Sequence, residues 1–148
     1  MTHGSMSSPE PLTDQEYARL LAIRAGLRQL LRWSERRAAE VGLTDTQHQL
    51  LLAIRGHSDP GGPSVGEIAG YLCARHHSVV QLIDRTEQLG LVARTREQGK
   101  DRRVVRLTLT DAGKEILASL SAAHLEELQR LAPLVGALDH HAAVPQTG

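Results

Sequence analysis

Hydrophobic positions recur at helical spacing along most of the chain and at strand spacing in one short part of it. Leu20, Ile23, Leu27 and Leu30 fall three and four residues apart, the period of one helix face, and Leu21, Leu31 and Trp33 widen that stripe. Thr13 with Glu16 three residues on has the form of a capping box that opens this helix, and Gly42 closes it. About six turns at 3.6 residues per turn are more than a small domain buries alone, so part of this helix is expected to pack on another chain. Thr44 and Gln47 open a second helix, with Leu43 as its hydrophobic staple and Leu50, Leu51 and Ile54 as its core face. Ser58-Asp59-Pro60-Gly61-Gly62-Pro63 is a loop. Ser64 and Glu67 open a third helix, whose Val65, Ile68, Ala69 and Leu72 share one face. After a break at Cys73-Ala74 a fourth helix is predicted from about Arg75 to Leu89, with Gly90 placed for a left-handed cap. Its buried side should be Val79, Leu82, Ile83 and Thr86; its opposite side carries His77, Ser78, Gln81 and Arg85.

The pattern then changes. Leu91-Val92-Ala93-Arg94-Thr95 and Val105-Arg106-Leu107-Thr108-Leu109 read as two strands, the second strictly alternating. The turn between them holds Arg96, Lys100, Arg102 and Arg103 beside Gly99 and Asp101. A tip so charged cannot enter a core, but it can place guanidinium groups in a nucleic-acid groove. Thr110 and Asp111 open a last helical region. Leu117, Leu120, Leu128, Leu131, Val135 and Leu138 form its seam, which His124 interrupts. Pro133 is expected to kink this helix or start another. Helix followed by basic hairpin is the order of a winged helix-turn-helix. The predicted fold class is therefore mostly α (α+β), a winged helix-turn-helix with a two-stranded wing between long terminal helices.

Composition sharpens this picture. The chain has 148 residues, room for one well-packed domain. With one Trp, two Tyr and no Phe, its core must be aliphatic. The net charge is +0, yet the charge is polarised. Residues 75–106 hold eight Arg and Lys against four acids, and residues 107–148 hold two against five. A basic block on a neutral chain is the footprint of a confined nucleic-acid face. The single Cys rules out an internal disulfide and suits a reducing, cytoplasmic setting. No apolar run approaches the ~20 residues that cross a bilayer, so no membrane partner is expected. Residues 1–12 are expected to be a disordered leader or a cloning scar, residues 13–139 one domain, and residues 140–148 a disordered tail.

Asp84-Arg85-Thr86-Glu87-Gln88-Leu89-Gly90-Leu91, Asp101-Arg102-Arg103 and Leu109-Thr110-Asp111-Ala112-Gly113 follow one another in order. In these three segments the chain resembles the MarR family of bacterial transcriptional regulators. The resemblance extends over roughly Leu27 to Leu138 and is sharpest from Ser64 to Gly113. It implies a homodimeric, sequence-specific DNA-binding regulator, a repressor of a palindromic operator released by a small effector. The implied dimerisation helices are 13–42 and 111–139, and the implied DNA-binding part is 44–109. Together with the basic block, the resemblance makes Arg75, His76, His77, Ser78, Gln81, Arg85, Arg94, Lys100, Asp101, Arg102 and Arg103 the candidate DNA contacts. Residues near Arg75 to Gln81 would meet base edges and phosphates in the major groove. Arg103, steered by Asp101, would reach the adjacent minor groove, where negative potential concentrates. The chain departs from the family in having fewer than forty residues after Thr110, interrupted by Pro133. The dimer contact is thus expected to be smaller, or to lean more on the first helix.

Other readings attach to single residues. Cys73, just before the fourth helix and near Arg75, has the placement of a redox-sensing thiol. The winged helix alone could serve as a protein-interaction module. An apolar cleft near Trp33 is a place for an effector. The eight His offer no pair at i, i+4, and adjacent His76 and His77 do not converge on one ion, so no metal or other cofactor is expected. His48 and His124 can meet only through the fold. No Gly-rich phosphate loop, G-x-S-x-G or H-E-x-x-H is present, and no enzymatic activity is expected.

Overall fold

The helix starts of this protein are fixed by local side-chain chemistry. In the computed structural model, which describes residues 10–96 and 104–142, Thr13 Oγ1 accepts from the Glu16 N–H at 3.2 Å and opens α1, Asp14–Glu40. Thr44 and Gln47 exchange hydrogen bonds at 3.2 and 2.9 Å and open α2, Asp45–Gly56. Ser64 and Glu67 do the same at 3.2 and 3.1 Å and open α3, Val65–Leu72. Each box satisfies amide groups that the first helical turn leaves without partners. The Glu67 carboxyl is correspondingly held below its usual range, first by the Ser64 backbone amide.

The fourth helix, α4, spans His76–Gln88 and places Val79, Ile83 and Thr86 in the core, with Leu82 half-buried, as the spacing predicts. It ends where Gly90 takes φ +75, a left-handed turn that residues with a Cβ rarely adopt. Strands β1, Val92–Arg96, and β2, Val105–Leu109, form an antiparallel hairpin in which Val92 faces Leu109 and Arg96 faces Val105. Ser64 forms a further antiparallel bridge to Arg106, and the Leu107 N–H donates to the Pro63 carbonyl at 2.9 Å. These contacts fasten the wing to the start of α3.

Helix α5 covers Asp111–Ala142 and is opened by Thr110, whose Oγ1 accepts from the Gly113 N–H and donates to the Gly90 carbonyl. A Cβ at Gly113 would lie 2.1 Å from the Leu91 carbonyl oxygen, so the start of α5 approaches the hairpin more closely than any side chain permits. Pro133, expected to kink this helix or start another, lies inside one helix and starts no new one, and His140–Ala142, expected in the tail, are helical. A proline removes one amide hydrogen bond; the turns on either side remain intact.

Among the described residues, packing forms two units, one within residues 32–126 and one within residues 1–31 and 127–148. The first holds the core: Leu50, Leu51, Ile68, Ile83, Leu107 and Leu120 are almost fully buried. Fully burying one such side chain contributes about 1.5–3 kcal/mol. The second contains the first half of α1, where Leu20, Leu21, Leu27 and Leu31 all lie exposed, Leu21 at 70%. Leu128, on the α5 portion of that unit, is also exposed.

Candidate nucleic-acid interface

Helix α4 has two unlike sides. Burial of Val79, Ile83 and Thr86 in the core dictates which residues point outward, since positions one and two residues away on a helix face elsewhere. The outward residues include His76, His77, Ser78, Gln81 and Arg85, with the acids Asp84 and Glu87 nearer the end of the helix, all exposed. Arg75, also exposed, is the residue that caps the helix, and its side chain makes no capping bond. Ser78, Gln81 and Arg85 line a groove of about 290 Å³ together with Thr46 and Gln49 of α2 and Leu72 and Ala74. The polar set on α4 thus borders open space, and its imidazole, amide, hydroxyl and guanidinium groups can donate to and accept from base edges or phosphates.

The turn into α4 is made by Cys73, which sits in the left-handed region at φ 51, ψ 42. Its N–H donates back to the last turn of α3, and the Ala74 N–H donates to the Ala69 carbonyl at 3.1 Å. A left-handed non-glycine residue costs about 1–2 kcal/mol. Cys73 therefore has a structural position of its own, at the corner that aims α4. Its thiol is exposed.

At the base of the wing, the guanidinium of Arg94, a candidate DNA contact, donates to Asp84 and, at 2.9 Å, to Glu87, both on α4. These two carboxylates, Asp84 first, raise the Arg94 pKa further above its ordinary value. Arg94 thus ties β1 to α4. Arg106, in the same basic block, is likewise engaged: it donates to the Gly62 carbonyl at 2.9 Å and pairs with Asp59 at 3.3 Å. The candidates Lys100, Asp101, Arg102 and Arg103 lie outside the described residues.

Two clusters of polar residues join different helices, the first of them unforeseen. His57 joins α2 to α3 through Tyr71, at 2.7 Å, and Glu67, at 3.2 Å. His48 and His124 do meet, with ring centroids 4.5 Å apart, and Trp33 stands edge-on to His124 at 4.8 Å. No spacing rule signals either cluster, because the partners lie on different helices. Among the described residues, no group of three or more His, Cys, Asp or Glu could hold a metal ion, and no helix is long and apolar enough to cross a membrane.

Residues 41–103 match the model of the MarR family. A Bacillus subtilis protein named HTH-type transcriptional repressor MdtR is 39% identical over 85 residues, a stretch that covers 55% of this chain and 52% of that protein. The matched stretch thus spans about half that relative's length. The crystal structure of the YusO protein from Bacillus subtilis covers 93% of this chain and 100% of its own, at 26% identity and a TM-score of 0.62. The structure of an S. aureus MepR–DNA complex covers 83% of this chain and 85% of its own, at 19% identity and a TM-score of 0.63. The MepR likeness is one of fold.

Proposed function

We propose that this chain, whose residues 41–103 match the MarR family model, is a MarR-type, sequence-specific, double-stranded DNA-binding transcriptional regulator. The observation that carries this reading is the two-sided α4: a core-facing side of Val79, Ile83 and Thr86, and a solvent side of His76, His77, Ser78, Gln81 and Arg85 with no apolar residue among them. A helix held this way enters a major groove with its polar side against base edges. Arg75 and Arg85 supply phosphate or base contacts. Arg103, aimed by Asp101, reads the adjacent minor groove. Arg94 is left out of the contact set because Asp84 and Glu87 occupy it.

The working form is a homodimer. Leu20, Leu21, Leu27, Leu31 and Leu128 lie exposed along the terminal helices, and apolar side chains exposed in series mark an interaction surface. A second copy covers it, and two-fold symmetry then calls for a palindromic operator with half-sites about 34–36 Å apart. The sign of regulation is repression, the activity in the printed name of the Bacillus subtilis relative, and release by a small effector completes the reading. The chain acts in the cytoplasm, without membrane, metal or other cofactor.

Duplex binding measured against salt tests this function. Phosphate contacts release counterions, so affinity should fall steeply, by about 10³–10⁵ between 50 and 200 mM salt for 6–10 contacts. Affinity indifferent to salt would instead favour a winged helix used for protein contact.

A further inference from the structure

The wing is held from both of its faces. In the register of the hairpin, Arg94 lies opposite Leu107 and Thr95 opposite Arg106. Opposed residues share a face and successive residues alternate, so Arg94 and Arg106 leave the hairpin on opposite faces. Arg94 goes to Asp84 and Glu87 of α4. Arg106 goes the other way, to the loop between α2 and α3. Its Nη1 donates to the Gly62 carbonyl at 2.9 Å and, less closely, to Asp59 Oδ2 at 3.3 Å.

That loop is shaped by its own bonds. Asp59 Oδ1 accepts from the Gly61 N–H at 2.8 Å, and the Asp59 carbonyl accepts from the Gly62 N–H at 3.0 Å, which closes a turn. A Cβ at Gly62 would collide with the Leu107 carbonyl oxygen, so turn and strand meet backbone to backbone. Beside them the Leu107 N–H donates to the Pro63 carbonyl. The Arg106 bond adds a charged donor to these neutral ones, and charged donors bind more strongly. Its side chain is 20% exposed, so water competes with it only in part. A hairpin fastened on one face can rock about that fastening; one fastened on both faces cannot.

We propose that Arg106 is a positioning residue for DNA recognition: by gripping the Gly62 carbonyl and Asp59 it fixes the angle of the wing, without itself touching DNA. The inference rests on the reading of this chain as a DNA-binding regulator. It gives a second cation of the basic block, after Arg94, a role exerted through the protein rather than on phosphate.

Amide hydrogen exchange and duplex binding of the full-length protein test it together, in the wild type, Arg106→Gln and Arg106→Lys. In Arg106→Gln the Leu107 amide should exchange faster by about tenfold or more, while the Ile83 amide in α4 keeps its rate. The wild type should favour A·T-flanked over G·C-flanked duplexes by about tenfold, and Arg106→Gln should cut that preference to about twofold. The order of preferred bases inside the half-site should not change. Arg106→Lys keeps the charge but loses the fork, so it should fall between the two in both measurements. Unchanged exchange at Leu107 overturns the proposal, as does exchange that rises at Leu107 and Ile83 alike, the mark of general destabilisation. So does a flank preference that Arg106→Gln leaves unaltered. An equal loss of affinity on every duplex, restored by Arg106→Lys, makes Arg106 a phosphate contact and also overturns it. A wild type with no affinity for any duplex overturns the DNA reading, and the positioning role falls with it. Should Arg106→Gln fail to fold, the same criteria apply to Arg106→Lys.

Discussion

The guanidinium of Arg94, on the first strand of the wing, is bound to Asp84, on the exposed side of α4. The wing and the proposed reading helix are thereby oriented as one piece. The pair is partly exposed, and pairs of that kind contribute little to stability, about 0.2–1 kcal/mol. Its value is in direction.

This pair makes a clear prediction. Asp84→Ala and Arg94→Ala should weaken operator binding alike, with stability losses of at most about 1 kcal/mol. Were Arg94 a phosphate contact, only Arg94→Ala would weaken binding, and Asp84→Ala would strengthen it by freeing the cation. Binding titrations of the two variants on one duplex tell these outcomes apart.

Gln81 and Arg103 should fail in different ways. Gln81→Ala should lose about 1–3 kcal/mol of discrimination at one or two base positions. Arg103→Ala should weaken A·T-flanked sites most, because narrow minor grooves attract inserted arginine. Affinities over a panel of single-substitution duplexes check both. Equal losses on every sequence would make either residue a phosphate contact.

At Cys73 the left-handed backbone predicts a stabilising substitution. Cys73→Gly should raise unfolding stability by about 0.5–1 kcal/mol, since glycine takes φ 51 without strain. Operator binding should survive peroxide in the wild type. Peroxide-dependent release that disappears in Cys73→Ser would install the redox reading in its place.

His48 sets a pH dependence of its own. Its folded pKa is lowered, by burial first, from the ordinary 6.5. The unfolded chain therefore binds this proton more readily than the folded one, and stability from His48 is present above about pH 6.5 and declines as pH falls towards the folded value. In denaturant titrations across that range, His48→Gln should flatten the decline. An unchanged slope would show that His48 is as easily protonated folded as unfolded.

What could be read in advance was local. Thr44–Gln47, Ser64–Glu67 and Thr110–Gly113 are short-range patterns with one physical meaning each, so helix starts were visible in the residues themselves. The outward positions of His77, Ser78, Gln81 and Arg85 on α4 followed from Val79, Ile83 and Thr86 by helical geometry; that of His76, three residues before Val79, did not. The Arg94 pairs were not legible, because a cation in a basic block looks the same whether or not α4 carboxylates, seven and ten residues upstream, are turned towards it. Nothing in the spacing of Trp33, His48 and His124 groups them, since only the packing of three helices brings them together. Pro133 was read as a kink or a new start because a proline's local cost is legible, whereas the turns that carry a helix past it are not.

Selection of bound sequences from a random duplex pool tests the central claim most directly. The account predicts an enriched palindrome whose half-sites are centred 10–10.5 base pairs apart, the spacing of a two-fold dimer on one face of B-DNA. A pool that emerges without enrichment, or with a single asymmetric half-site bound by one chain, would contradict it.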